Sequence, residues 1–327
     1  MSNGFYGTWW SESSIYSAVS TDLMNWKYLG PMLVPDPINE WESQRLFAGY
    51  TYKEEGVYYL FYTGSGIVNI YDESIGLATS MDGINWSRCL NYQLFSNLSE
   101  QSEWYGKYEC DFGDGKIVQH RHWRDLYIIK NHKTGKYYMF ICAASQQMQH
   151  SLYRGCIGLA VADNIAEPFK LLPPACKPML EGTKESLFVE MERPQVVYRN
   201  GKYHLFFSCW KHRLNPKWIQ QQSGSNKITN SSLYWYVADE ITGPFLPSSE
   251  QPIVSGSEAT QMYGVNLFSA PNTIKEEFIA CGWFYWSFTL GVSPFFKVIW
   301  NDNSIEIKRS TISPFVIAEY FRTSSKA

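Results

Sequence analysis

Two short charged clusters stand directly ahead of apolar runs. His122-Trp123-Arg124-Asp125-Leu126-Tyr127-Ile128-Ile129 and Glu190-Met191-Glu192-Arg193-Pro194-Gln195-Val196-Val197 each set an acid beside an arginine, then continue into β-branched and aromatic residues. Paired carboxylates suit cleavage of a glycosidic bond: one acid protonates the leaving oxygen, and in retaining enzymes a second carboxylate about 5 Å away is the nucleophile. An adjoining arginine keeps a carboxylate ionised or grips a substrate hydroxyl. The same residues would equally make a structural ion pair at a strand start, so spacing leaves both uses open. Asp125 and Glu192 are the candidate catalytic pair, with Arg124 and Arg193 as candidate substrate contacts.

Other polar clusters carry less. Gln119-His120-Arg121-His122 has metal-ligating types, but alternate residues of a strand face opposite ways, so one site would capture only half of them and a polar pocket rim is expected. Glu109, Asp111 and Asp114 form an acidic stretch with calcium-loop character; a solvated loop is the simpler expectation, and no metal or cofactor is assigned.

Carboxylates far apart in sequence need a fold that brings them together, and the sequence is repetitive in a way that supplies one. EEGVYYLFYTG at 54–64, KTGKYYMFICAA at 133–144 and NGKYHLFFSCW at 200–210 each read as a turn feeding a buried strand. Outer-turn signatures recur downstream: STDLMNW and SMDGINW, then AVADNIAEPF and YVADEITGPF. The repeat is far too long for a solenoid and suits a four-stranded blade with long connections. We therefore expect an all-β, five-bladed β-propeller filling residues 1–322 as one domain, with a frayed tail at 323–327. A β-sandwich or a pair of smaller β domains is the alternative. In a propeller the innermost strands face one axis, and both candidate clusters open such strands.

Composition narrows the partners. Net charge is −3 without a long basic run, so the electrostatic footprint for nucleic acid is missing. Thirteen Trp and 23 Tyr are compatible with stacking on a small sugar, although most such rings are expected in the core. The seven cysteines are scattered, with no CxxC pair, which argues against zinc and for a reducing cytoplasm. MSNGFYGTWW has no signal-peptide pattern, and no apolar stretch is long enough to span a membrane.

Taken with SIYSAVSTDLMNWKYLG, EWESQRLFAGYTY, the TGPF turn, MYGVNLFSAPN and SFTLGVSPFFKVIW, the two clusters resemble the levansucrase, inulosucrase and invertase group, glycoside hydrolase family 68, within the clan of five-bladed fructosidases and arabinanases. The resemblance implies that Arg124-Asp125 matches the Arg-Asp-Pro motif of the transition-state stabiliser, and Glu192-Arg193 the motif of the general acid/base. It also implies that Trp41 walls the pocket, that Tyr263 contacts substrate, and that Lys211 and His212 lie at the loop facing the second sugar. Two departures accompany it. Arg-Asp-Pro is Arg-Asp-Leu here, and no Trp-Asp nucleophile motif occurs near the N-terminus, where Asp22 reads as a turn residue and Glu12 and Asp36 are the nearest acidic substitutes. Three functions follow: a glycosidase or fructosyltransferase, a repurposed propeller using Asp125 and Glu192 on a non-sugar substrate such as a cyclisation, or a sugar-binding protein without turnover.

Overall fold

The computed structural model describes residues 13–20, 25–94, 103–111, 117–148, 152–222, 228–229, 232–248, 254, 262–269, 277–284 and 291–309. Glu12, Asp22, Asp114 and the expected tail at 323–327 lie outside them. Strands β1 (Ile15–Val19) and β2 (Lys27–Leu33) form a two-stranded sheet. Four larger antiparallel sheets follow as blades. The first holds β3 (Arg45–Glu54), β4 (Val57–Ser65), β5 (Glu73–Ser80) and β6 (Ser87–Leu94). A small hairpin, β7 (Tyr108–Asp111) with β8 (Ile117–His120), leads into the second, built from β9 (Trp123–Lys130), β10 (Tyr137–Ala144), β11 (Gly155–Ala162) and β12 (Lys170–Cys176). The third holds β13 (Glu192–Arg199), β14 (Lys202–Ser208), β15 (Leu233–Ala238) and β16 (Leu246–Pro247). In the fourth, β17 (Met262–Ser269) and β18 (Phe278–Phe284) are followed by β19 (Gly291–Val292), paired on β18, and by β20 (Phe296–Asn301) and β21 (Ser304–Arg309). The architecture is an all-β propeller. Among the described residues no helix is long and apolar enough to cross a membrane.

Packing between sheets explains the apolar runs. Each middle strand is covered on both faces, so its two alternating sets of side chains enter two different cores. On β10, Met139 and Ile141 join Phe61, Leu77 and Ile128 between the first and second blades, whereas Phe140 joins Leu205, Phe207 and Tyr236 between the second and third. On β14, Phe206 turns the other way and packs with Trp235, Leu267 and Val298 against the fourth blade. Leu33 of β2 packs with Leu46, Tyr62 and Ala78, which seats the β1–β2 pair on the first blade. Each fully buried aromatic contributes about 1.5–3 kcal/mol, so a strand facing two cores has no polar side to spare.

The innermost strands β3, β9, β13 and β17 lie side by side, and all four bulge at the same register. Two residues of the inner strand oppose one of its partner at Ala48-Gly49, Asp125-Leu126, Arg193-Pro194 and Gly264-Val265. Gly49 is required there, since a Cβ would lie 2.0 Å from the Phe61 carbonyl oxygen. Four described non-glycine residues have positive φ. Glu55 and Asn200 are the leading residues of two-residue hairpin turns, each followed by a glycine, as the sequence indicated. The other two, Asp125 (φ 55°) and Arg193 (φ 53°), lie within strands, where a left-handed backbone costs about 1–3 kcal/mol and marks a position held by its surroundings.

Candidate active site

The residue ahead of each bulge points to a common space. In the second, third and fourth blades these residues are Arg124, Glu192 and Tyr263, and they form one hydrogen-bonded chain. Arg124 donates from Nε and Nη2 to Glu192 Oε1, at 3.3 and 3.0 Å, and the Tyr263 hydroxyl donates to Glu192 Oε2. The same guanidinium reaches three more carboxylates. Nη1 lies 3.1 Å from Glu73 Oε2, Nη2 lies 2.6 Å from Glu190 Oε2, and Nε lies 3.8 Å from Asp125 Oδ2. Asp125 also accepts the backbone N–H of Arg193 at 3.3 Å, a donor that the β13 bulge directs at the neighbouring blade.

Four buried carboxylates around one arginine cannot all ionise at equal cost. Glu73 is the anchored one. Burial opposes its ionisation, but the charge of Arg124, the imidazole of His120 and the Trp123 N–H outweigh burial and hold it at about 2. Asp125 goes the other way: burial, then the neighbouring charge of Glu192, push it up to about 6 against the pull of Arg193 and Arg124. Glu192 is also raised, by burial and then by Glu190, with Arg124 and Tyr263 working against both. A carboxyl that holds its proton more tightly than usual is better able to protonate a leaving group, so the arrangement suits general acid/base chemistry.

Of the residues singled out from the sequence, Arg124, Asp125, Glu192 and Tyr263 are brought together. Tyr263 is fixed by a face-to-face stack on Trp210, with centroids 4.0 Å apart at 14°. Arg193 splits its roles: its backbone holds Asp125, while its side chain passes Gly264 and lines a different cavity farther along the axis. His212 lies exposed in the short turn Lys211–Arg213 and stacks on Trp210 at 6.4 Å, at the margin of the cluster. Burial and the adjacent Arg213 lower its pKa. Trp41 lies over Tyr62 and against Gly64 and Gly76 in the first blade. Asp36 accepts from Ile38 N–H and Asn39 in its own turn, which is capping work.

Sequence reasoning missed Glu73, Glu190 and Arg213 as site residues. Asp72 and Glu73 face opposite ways at the start of β5, with Asp72 taking Arg121 and Lys107 on its side and Glu73 taking Arg124. Arg213, beyond the Lys211 and His212 singled out from the sequence, places Nε 3.4 Å from Glu190 Oε1. The histidines follow the strand alternation: Gln119 is exposed, whereas His120 and His122, two residues apart, are both buried with rings 4.2 Å apart. Tyr108 bonds His122 Nε2 at 2.9 Å, and the two imidazoles flank Glu73 and Glu190. Among the described residues no group of three or more His, Cys, Asp or Glu is arranged to hold a metal. Glu109 of the acidic stretch is exposed.

Residues 3–156 match the glycosyl hydrolases family 32 N-terminal domain. A levansucrase of Erwinia amylovora is 28% identical over 127 residues, a stretch that covers 38% of this chain and 27% of that enzyme. In structure, the inulosucrase from Halalkalicoccus jeotgali bound to kestose superposes with a TM-score of 0.65 at 22% identity, covering 90% of this chain and 76% of that one. Bacillus subtilis levansucrase gives 0.59 at 16% identity, covering 92% and 80%. By sequence and by fold, then, the chain resembles the levansucrase-type group of propeller glycosidases.

Proposed function

We propose that this chain is a glycoside hydrolase or fructosyltransferase acting on a fructoside or related small sugar, in an axial pocket at the N-terminal ends of the inner strands. The observation that carries the reading is the convergence of Asp125 and Glu192 from separate blades on one guanidinium, with both carboxyls raised. Glu192 gives its proton to the leaving-group oxygen as the glycosidic bond breaks, and Asp125 stabilises the oxocarbenium-like charge on the ring. Arg124 and Tyr263 fix the orientation of Glu192, and Glu73 is the counter-ion that fixes Arg124. Glu190 and Arg213, with His212 beyond them, face the departing sugar. The attacking group on the opposite side of the ring is a carboxylate or a water.

A repurposed propeller using Asp125 and Glu192 as an acid–base pair on a non-sugar substrate is favoured by one observation: all four carboxylates lie within 4 Å of Arg124, so none of them stands apart as a free nucleophile. The β1–β2 pair, packed on the first blade as the other sheets pack on one another, supports reading it as the outer half of a fifth blade within one domain over 1–322. Cys89, Cys142, Cys156, Cys176, Cys209 and Cys281 are free, which supports a reducing, cytoplasmic setting. Incubation of the folded protein with sucrose, followed by enzymatic detection of glucose, tests the main reading. Glucose release that falls by about a thousandfold in Glu192→Gln is expected; folded protein that releases no glucose and forms no transfer product overturns it.

A further inference from the structure

Beyond the bulges, the four inner strands direct a second ring of side chains at the axis. Tyr50, Tyr127, Gln195 and Asn266 hold equivalent positions, each the first paired residue after its bulge. They line a cavity of about 680 Å³, a volume suited to a small ligand. None of the four site carboxylates lines it. They belong to the strand starts, and this cavity belongs to the opposite stretch of the same strands, where the half-exposed Tyr198 and Phe268 form its outer wall.

The chemistry of the wall is specific. Among the described residues, Arg193 is the one charged residue of the lining. Its stem runs along Gly264, whose substituted Cβ would lie 3.2 Å from Arg193 Cγ, and its charge also acts on Asp125 from this side. A planar fork of donors in a partly enclosed space matches a carboxylate or phosphate. Around it, Tyr50 and Tyr127 meet at 4.5 Å between centroids and offer ring faces, while Asn266, Thr51 and Ser269 offer amide and hydroxyl groups. Gln195 is held in place by both of its bonds to Leu267, at 2.6 and 2.7 Å, so this part of the wall is preformed. We propose that the cavity is a second ligand site, separate from the carboxylate cluster, for a polyhydroxylated monosaccharide-sized anion: the anionic group on Arg193, the C–H faces on the tyrosines and the hydroxyls on the amide and hydroxyl side chains.

Calorimetric titration of the full chain with gluconate, glucose 6-phosphate and glucose tests this, and it requires no turnover. At least one anion binds saturably and about tenfold more tightly than glucose. Arg193→Gln brings that anion to the level of glucose, Asn266→Leu weakens it by about tenfold, and Glu192→Gln leaves it in place. Circular dichroism confirms that each variant is folded, and Asn266→Leu carries the test where Arg193→Gln disturbs the bulge. The proposal is overturned by the absence of saturable binding of either anion up to about 10 mM, by equal affinity for glucose, or by binding that Glu192→Gln abolishes and Asn266→Leu spares, which would put the ligand in the carboxylate cluster.

Discussion

Replacing Asp125 by Asn should stabilise the protein at neutral pH while removing a residue on which the proposed reaction depends. In the folded state burial and Glu192 push Asp125 from 3.8 up to about 6. A shift of about two units corresponds to about 3 kcal/mol of differential interaction. The sign follows from proton uptake. Between about pH 4 and 6 the folded chain holds a proton that the unfolded chain has released, so this residue's contribution is fully present below pH 4 and lost as pH rises through 6. Asparagine keeps the shape and an acceptor for the Arg193 N–H but never ionises. The attraction to Arg124 is already contained in that shift, so only the weaker bond from the Arg193 N–H offsets about 1 kcal/mol, which leaves a net gain of about 2 kcal/mol at pH 7.5. For 327 residues, an unfolding entropy of about 2.1 cal/mol/K per residue makes this an increase in Tm of about 3 °C. Thermal melts of both proteins at pH 7.5 and pH 4 measure it, with the difference expected to vanish at the lower pH. A variant that melts lower than wild type at pH 7.5, or by the same margin at both pH values, would refute the claim that the Asp125 charge is held at a cost.

Glu73 should behave oppositely: its pKa falls from 4.5 to about 2, so its stabilisation is present above 4.5 and lost as pH falls through 2. Glu73→Gln therefore costs about 3 kcal/mol at pH 7, read from urea midpoints, and an unchanged midpoint would show that Arg124 does not depend on it. Tyr263→Phe keeps the Trp210 stack but removes the donor that favours ionised Glu192. The alkaline limb of kcat/KM on sucrose should move to higher pH, whereas an unmoved profile would assign Tyr263 to packing alone. Gly264→Ala, at φ 60° and with its new methyl 3.2 Å from Arg193 Cγ, should cost about 1–2 kcal/mol in chemical denaturation, and a neutral result would show that the bulge can relax.

Asp125 and Glu192 were legible because each stands at the point where a charged segment becomes a blade's inner strand, and the Gly turns at Gly135 and Gly201 marked where those blades fold back. Glu73 was hidden. Asp72-Glu73 reads as the end of a polar turn, and only the approach of the start of β5 to Trp123 and Arg124 shows that one of the two acids is buried and charged. The direction of the Arg193 side chain was not legible, because a bulge leaves no trace in the alternation of polar and apolar residues. The seat of Trp41 has a physical reason: Gly64 and Gly76 leave a trough on the first blade, and the indole fills it.

The repeated bulge also explains how four sheets make one site. At the position before it, the blades carry Phe47, Arg124, Glu192 and Tyr263. These are one structural position with four chemistries. The extra residue that follows turns a backbone N–H outward, and in two blades that N–H binds the blade before it: Arg193 to Asp125, and Gly264 to Ser208 at 3.2 Å. A bulge therefore does two things at once, fixing a side chain at the axis and fastening its strand to the neighbour that supplies the next one. Strain at Asp125 and Arg193 is consequently supported from the adjacent blades, not from the strand that carries it. Substitution at the pre-bulge position can then change the chemistry at the axis while the interblade cores, which lie along the middle strands, continue to hold the fold.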